Sequence, residues 1–173
     1  MKILLKLLPF FALLALNSCA GYRLGGTKPI ALAHVNKIHV PLALNSTQIP
    51  RAASFVTNGV VDALVDDGTY LLGTFEDSDA RLEVQLYEVT FAAVRTADVN
   101  RLRPEELSMT VHLRWRVVDA NDVGKVLDSG TSTGRTGLFV EPNLQAAQQS
   151  QITDAIQRAS ISLIARLSDG FGD

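Results

Sequence analysis

Gly130-Thr131-Ser132-Thr133-Gly134 spells the G-x-S-x-G spacing of a nucleophile elbow, in which a sharp strand-to-helix turn presents a serine hydroxyl to a histidine base. Such chemistry needs a helix directly after the serine, then an acid and a histidine later in the chain. Here the segment continues as Thr-rich extended chain toward Leu138-Phe139-Val140, and His34, His39 and His112 all precede Ser132. The histidines also lack metal-ligand spacing: His34 and His39 stand five residues apart, with no carboxylate cluster beside them. Asn45-Ser46-Thr47 matches a glycosylation sequon. The pattern predicts neither an enzyme, nor a metal site, nor a cofactor site.

The reactive side chain that remains is the single cysteine, Cys19. Lys2 and Lys6 make a positive start, residues 3–16 form an almost uncharged apolar run interrupted by Pro9, and Asn17 and Ser18 close it on small polar residues before Cys19. That is the layout of a secretory signal, and the run is shorter than the roughly 20 apolar residues a transmembrane helix needs. Residues 1–18 are therefore predicted to be removed, leaving Cys19 first. In bacterial lipoproteins, which this pattern resembles, that cysteine is acylated on sulfur and on its amine. Two or more acyl chains anchor a protein stably where one does not. The competing reading, an ordinary signal with a buried free cysteine, leaves a lone cysteine at the end of an apolar run unexplained. Ala20 occupies the position where Asp marks inner-membrane retention in many Gram-negative bacteria, so the expected location is the outer membrane, lipid-anchored, with the domain facing the periplasm.

The chain has 173 residues, long enough for one well-buried core once the signal is gone. Its 16 Lys+Arg stand against 18 Asp+Glu, and the signal holds two of the cations and no acid, so the mature protein is still more acidic. That balance argues against a nucleic-acid surface. With one cysteine, no internal disulfide can form even in an oxidising compartment.

Residues 19–35, punctuated by Gly21, Gly25, Gly26 and Pro29, read as a lipidated N-terminus and flexible tether, and 36–173 as a single domain. Residues 36–42 alternate with Ile38, Val40 and Leu42 on one side, a half-buried strand, and Pro41 marks it as an edge or a strand end. Asn45, Ser46 and Thr47 are turn and cap formers, and Pro50 suits a first helical turn. Residues 51–67 carry the stripe Phe55, Val56, Gly59, Val60, Ala63, Leu64, an amphipathic helix stopped by Gly68. In residues 80–96, Leu82, Val84 and Leu86 alternate with Arg81, Glu83 and Gln85, but beyond Glu88 both faces are apolar, which predicts either a bulge or burial on both sides. Residues 107–117 alternate cleanly, Leu107 to Val117 against Ser108 to Arg116. With a hairpin tip at 100–106, Glu83 and Gln85 fall opposite Arg114 and Arg116. A turn at 119–124, a Thr-, Ser- and Gly-rich strand at 125–140 and a helix to about 168 complete the chain. The expected fold class is α+β: a two-layer sandwich with two helices on one face of a four-stranded, mainly antiparallel sheet in the order β-α-β-β-β-α.

Five features in order carry a resemblance to a family. They are the lipid-bearing Cys19 followed closely by Gly21-Tyr22-Arg23-Leu24, a strand ending Val40-Pro41, Asn45-Ser46-Thr47 before Pro50, Thr57 within the first helix, and Ser78-Asp79-Ala80-Arg81-Leu82 opening the second strand. Together they resemble the LPS-assembly lipoprotein (LptE) family, although Ala20 separates Cys19 from Gly21-Tyr22, which the family usually places directly after the cysteine. The resemblance implies a non-catalytic subunit that associates with the LptD β-barrel in the outer membrane and helps pass lipopolysaccharide to the cell surface. It also implies lipopolysaccharide contacts through basic residues near the hairpin tip, here Arg95, Arg101 and Arg103. The family's second contact, in the loop before the last helix, has no counterpart, since residues 141–153 hold no Lys or Arg.

Two readings of these side chains stay open. The hairpin arginines are lipid ligands or solvated loop charges. His112, Arg114 and Arg116 face a partner or are satisfied by cross-strand neighbours. A function of another class is also compatible with the pattern: an outer-membrane-anchored lipoprotein that recruits or activates an envelope enzyme such as a peptidoglycan synthase.

Overall fold

A long hairpin is the frame of the domain. Strands β4 (Ala80–Ala97) and β5 (Asn100–Asp119) pair antiparallel, and β6 (Val126–Phe139) pairs antiparallel with β5 in turn. The computed structural model describes residues 28–97, 100–139 and 144–169, without the side chains at 95–105, 139 and 144–149. The signal segment and Cys19 lie outside the described residues.

The fold is α+β with two helices, as expected, but the sheet is mixed and has six strands. Its order is β3-β1-β4-β5-β6, where β1 is Lys37–His39 and β3 is Leu71–Leu72, and β1 runs parallel to both of its neighbours. A further short strand, β2 (Leu44–Asn45), also pairs parallel with β4. β1 is therefore not an edge strand; Pro41 acts as a strand end, breaking one line of pairing along β4 into β1 and β2. Two-residue strands leave no alternation to read, which is why β2 and β3 were absent from the sequence expectation.

The apolar switch beyond Glu88 is a bulge. Leu86 pairs with Leu113 and Glu88 with His112, leaving Tyr87 as the extra residue. The core face of β4 thus passes from Leu82, Val84 and Leu86 to Val89, Phe91 and Ala93, opposite Val111, Met109 and Leu107. The distal half is not buried on both sides, since residues 90–94 are all exposed. β5 also starts earlier than expected: residues 100–106 are strand, not tip, and Pro104 is accommodated opposite Thr96, among three register shifts.

Helices α1 (Ala52–Asp67) and α2 (Leu144–Asp169) cover the core face. α1 begins after Arg51, whose φ of 60° is left-handed, and ends at Gly68, φ 71°, whose N–H returns to the Leu64 carbonyl. Asn45 and Thr47 close the turn before it: Asn45 Oδ1 accepts from the Thr47 N–H and hydroxyl, and Asn45 Nδ2 donates to the Ile49 carbonyl. Thr57 Oγ1 donates to Ala53 O and accepts the Ala43 N–H at 2.9 Å, tying the 41–44 arm to α1. Asp79 accepts the N–H groups of Asn36 and Lys37, which hold its carboxyl below the usual carboxylate range and fix the entry of β1.

The tether expectation is corrected for residues 28–35. Ile30–Leu32 form a 3-10 turn, and Leu32 and Val35 are fully buried in the core. Their contacts are long-range, so no local periodicity marks them.

Tyr70 closes the lower end of the core. Its hydroxyl donates to the Leu167 carbonyl at 2.8 Å, and burial, with the Asp67 and Asp128 carboxylates, pushes the phenol up to about 12. An unfolded phenol ionises near pH 10, so this contribution to stability is intact below about pH 10 and is lost between there and about pH 12, amounting to roughly 2–3 kcal/mol. Urea titrations across that range should show the fall in wild type and a flatter profile in Tyr70→Phe. An unchanged alkaline slope in the variant would assign the effect to other groups.

Candidate interaction face

The helices leave the opposite face of the meander open, and side chains there are set by cross-strand pairing. Glu83 stands opposite Arg116 and Gln85 opposite Arg114, and on the other side of β5 these arginines pair with Ser129 and Thr131 of β6. The Arg116 guanidinium forms an ion pair with Glu83. Arg114 instead lies over the Tyr87 ring, 4.9 Å from its centroid, while Gln85 donates to the Ser46 hydroxyl at 2.8 Å. Strand alternation already sets Tyr87 on the open face after Glu83 and Gln85, and as the unpaired residue of the bulge it stands between the Arg114 and His112 rows. His112 follows one row up, its Nε2 3.2 Å from Thr90 Oγ1 and its ring 5.9 Å from that of Tyr87. Arg135 then reaches Thr110 Oγ1 at 3.4 Å.

The 41–44 arm stands beside these rows and encloses a groove of about 720 Å³. Pro41, Leu42 and Leu44 form its apolar wall, with both leucines about two-thirds exposed (68% and 67%). Glu83, Gln85, Arg114, Arg116, Ser129 and Thr131 form its polar side. This wall was missed in the sequence reading, which assigned Leu42 to the core side of a strand. The arm is held by the Thr57 hydroxyl from a different element. Nearer the base, Arg81 lies 4.1 Å from the centroid of Phe75, and the Phe75 ring meets His39 edge-on at 5.9 Å.

His112, Arg114 and Arg116 therefore share one surface, partly satisfied by its own neighbours. The backbone places Arg95, Arg101 and Arg103 together at the distal end of the hairpin, where Arg95 pairs with Glu106, but their side chains lie outside the described residues. The G-x-S-x-G segment lies within β6, not at a strand-to-helix turn, with Ser132 2% exposed beneath α2. Among the described residues, no three His, Cys, Asp or Glu side chains group as metal ligands.

Solved structures share the fold. A hypothetical protein from Chlamydia trachomatis is 13% identical, with a TM-score of 0.52 over 76% of this chain and 94% of its own. A protein from Xanthomonas campestris is 16% identical, with a TM-score of 0.52 over 82% of this chain and 90% of its own. No curated protein matches the sequence. The family model described as LptE, lipopolysaccharide assembly, matches residues 35–167, which takes in every strand of the sheet, α1 and nearly all of α2. The chain belongs to the LptE lipopolysaccharide-assembly family.

Proposed function

We propose that this protein is an outer-membrane lipoprotein, anchored through acylated Cys19 and residues 19–27 with its domain in the periplasm. In this reading it is the non-catalytic partner of an LptD-like β-barrel in placing lipopolysaccharide at the cell surface. Family membership is the observation that carries the reading. The surface is compatible with it: the open face presents hydroxyls and guanidinium groups at Thr131, Thr133, Arg135, Arg114 and Arg116, and the lumen of an outer-membrane barrel is itself polar. Arg95, Arg101 and Arg103, at the far end of the hairpin, are the groups assigned to the lipid's anions through charge-assisted hydrogen bonds.

Affinity capture of the acylated full chain should recover a large β-barrel in near-stoichiometric amount. Arg101→Glu with Arg103→Glu should leave that capture intact while weakening lipopolysaccharide binding at least tenfold, because acid would face the lipid's anionic groups. Recovery of a peptidoglycan synthase without a barrel would replace this function with the activator reading. Unchanged lipid binding in the double variant would remove the hairpin end from the lipid site.

A further inference from the structure

The groove between the 41–44 arm and the open face repeats with a period of two residues. One row runs Leu44, Gln85, Arg114, Thr131 across β2, β4, β5 and β6, and the next runs Glu83, Arg116, Ser129. On the arm, Leu42 and Leu44 are likewise two residues apart, and both are exposed. Two residues span about 6.6 Å of extended chain, so an extended ligand lying along the strands meets the same order of chemistry twice: an aliphatic wall, a polar side chain, a guanidinium. The rows differ in charge. Glu83 pairs with Arg116 in one, whereas Gln85 stands opposite Arg114 in the other, and Arg114 has no carboxylate partner among the described residues. Arg114 rests on the Tyr87 ring instead, and a guanidinium held by an aromatic face keeps donors for a carboxylate.

We infer that this groove docks an extended segment of a partner protein in which one acidic residue stands between two aliphatic ones. Neighbours in an extended chain point to opposite sides, so the aliphatic pair lies against Leu42 and Leu44 while the acid between them turns to Arg114. Charge selects this occupant over the chain's own N-terminal segment, since residues 19–27 carry Arg23 and no acid. An acyl chain fits worse. It would lie along Glu83, Gln85, Arg114 and Arg116 and strip them of water without replacing their hydrogen bonds. The wall is formed before any ligand arrives, because Thr57 Oγ1 accepts the Ala43 N–H and holds the arm, so little ordering is lost on binding. This inference does not depend on which barrel or enzyme the protein serves.

The test titrates the full acylated chain, in detergent, into a fluorescent peptide with the core Thr-Leu-Glu-Leu-Thr, capped at both ends, and follows anisotropy. Wild type should bind it saturably. Leu42→Ser with Leu44→Ser, both at exposed positions, should weaken binding about tenfold while leaving the circular dichroism unchanged. Arg114→Gln should weaken it about fivefold, and the same peptide with Gln for Glu should lose as much against wild type but nothing further against Arg114→Gln. Arg158→Gln, on α2 across the sheet, should change nothing. Absence of saturable binding, equal affinity of wild type for the two peptides, an unchanged affinity in the leucine variant, or an equal loss in Arg158→Gln would each overturn the inference. Displacement of the peptide by lipopolysaccharide from wild type but not from Arg114→Gln would overturn it too, by giving the groove to a lipid anion.

Discussion

Gly134→Ala should destabilise the domain by about 3 kcal/mol, at the upper end of what overpacking costs, and Gly134→Val should abolish a cooperative urea transition. Gly134 lies on the core face of β6, where α2 crosses it backbone to backbone. A Cβ built there would stand 2.0 Å from the Ala155 carbonyl oxygen and 2.4 Å from the Ala159 nitrogen. Neither atom can swing aside as a side chain would, so accommodation requires α2 to retreat from the sheet. Retreat would loosen Ile152, Ile156, Leu163 and Ile164, all buried along the same helix, and the α1 crossing as well, where Gly59 sits against Ser160 and Ile156. Gly137→Ala is the control. It lies on the open face with its nearest atom, Glu106 Oε1, at an ordinary 3.5 Å, so it should change stability by less than about 0.5 kcal/mol. Comparable urea midpoints for the two alanine variants would mean that α2 does not rest on the β6 backbone.

That contact also explains what the G-x-S-x-G spacing is for. Gly130, Ser132 and Gly134 occupy the core face in period two, under Trp115 on one side and α2 on the other, so the small residues serve packing. The alternation of Leu107 to Val117 was legible because both faces of β5 have distinct environments, and it set Glu83 and Gln85 roughly across from Arg114 and Arg116, which the register resolves into Glu83 with Arg116 and Gln85 with Arg114. Elements built on long-range contacts were not legible. Leu32 and Val35 pack without periodicity, Ala43 is held by Thr57 fourteen residues away, and β3 is two residues long. The groove shares that origin: its polar side follows from strand alternation, whereas its apolar wall depends on where the arm is tied. In residues 80–96 the sequence posed the right alternatives, and Tyr87 decided them, because an inserted residue exchanges the two faces of the positions that follow, here from Glu88 to Ala93, where a second register shift begins.

Trp115→Ala should cost about 3–5 kcal/mol, the range for truncating a buried aromatic side chain. Trp115 is 4% exposed on the core face of β5, and its ring lies against Gly130 in the neighbouring strand. A Cβ at Gly130 would come within 2.7 Å of ring atom Cζ2 and 3.1 Å of Cε2, so the glycine is a recess shaped to the indole. Gly130→Ala alone should therefore cost about 1–3 kcal/mol by forcing the ring out of place. In a Trp115→Ala background the same substitution should cost almost nothing, since the added methyl enters space the ring has vacated. The double-mutant cycle would then show a coupling of about 1–3 kcal/mol between the two sites. Trp115→Phe separates size from polarity. The indole N–H has no hydrogen-bond partner among the described residues, so removing it forfeits no bond, and the variant should lose well under the cost of alanine. Additive single costs in the cycle would mean that the indole does not rest on Gly130, and a loss under about 1 kcal/mol for Trp115→Ala would place this face of β5 toward solvent.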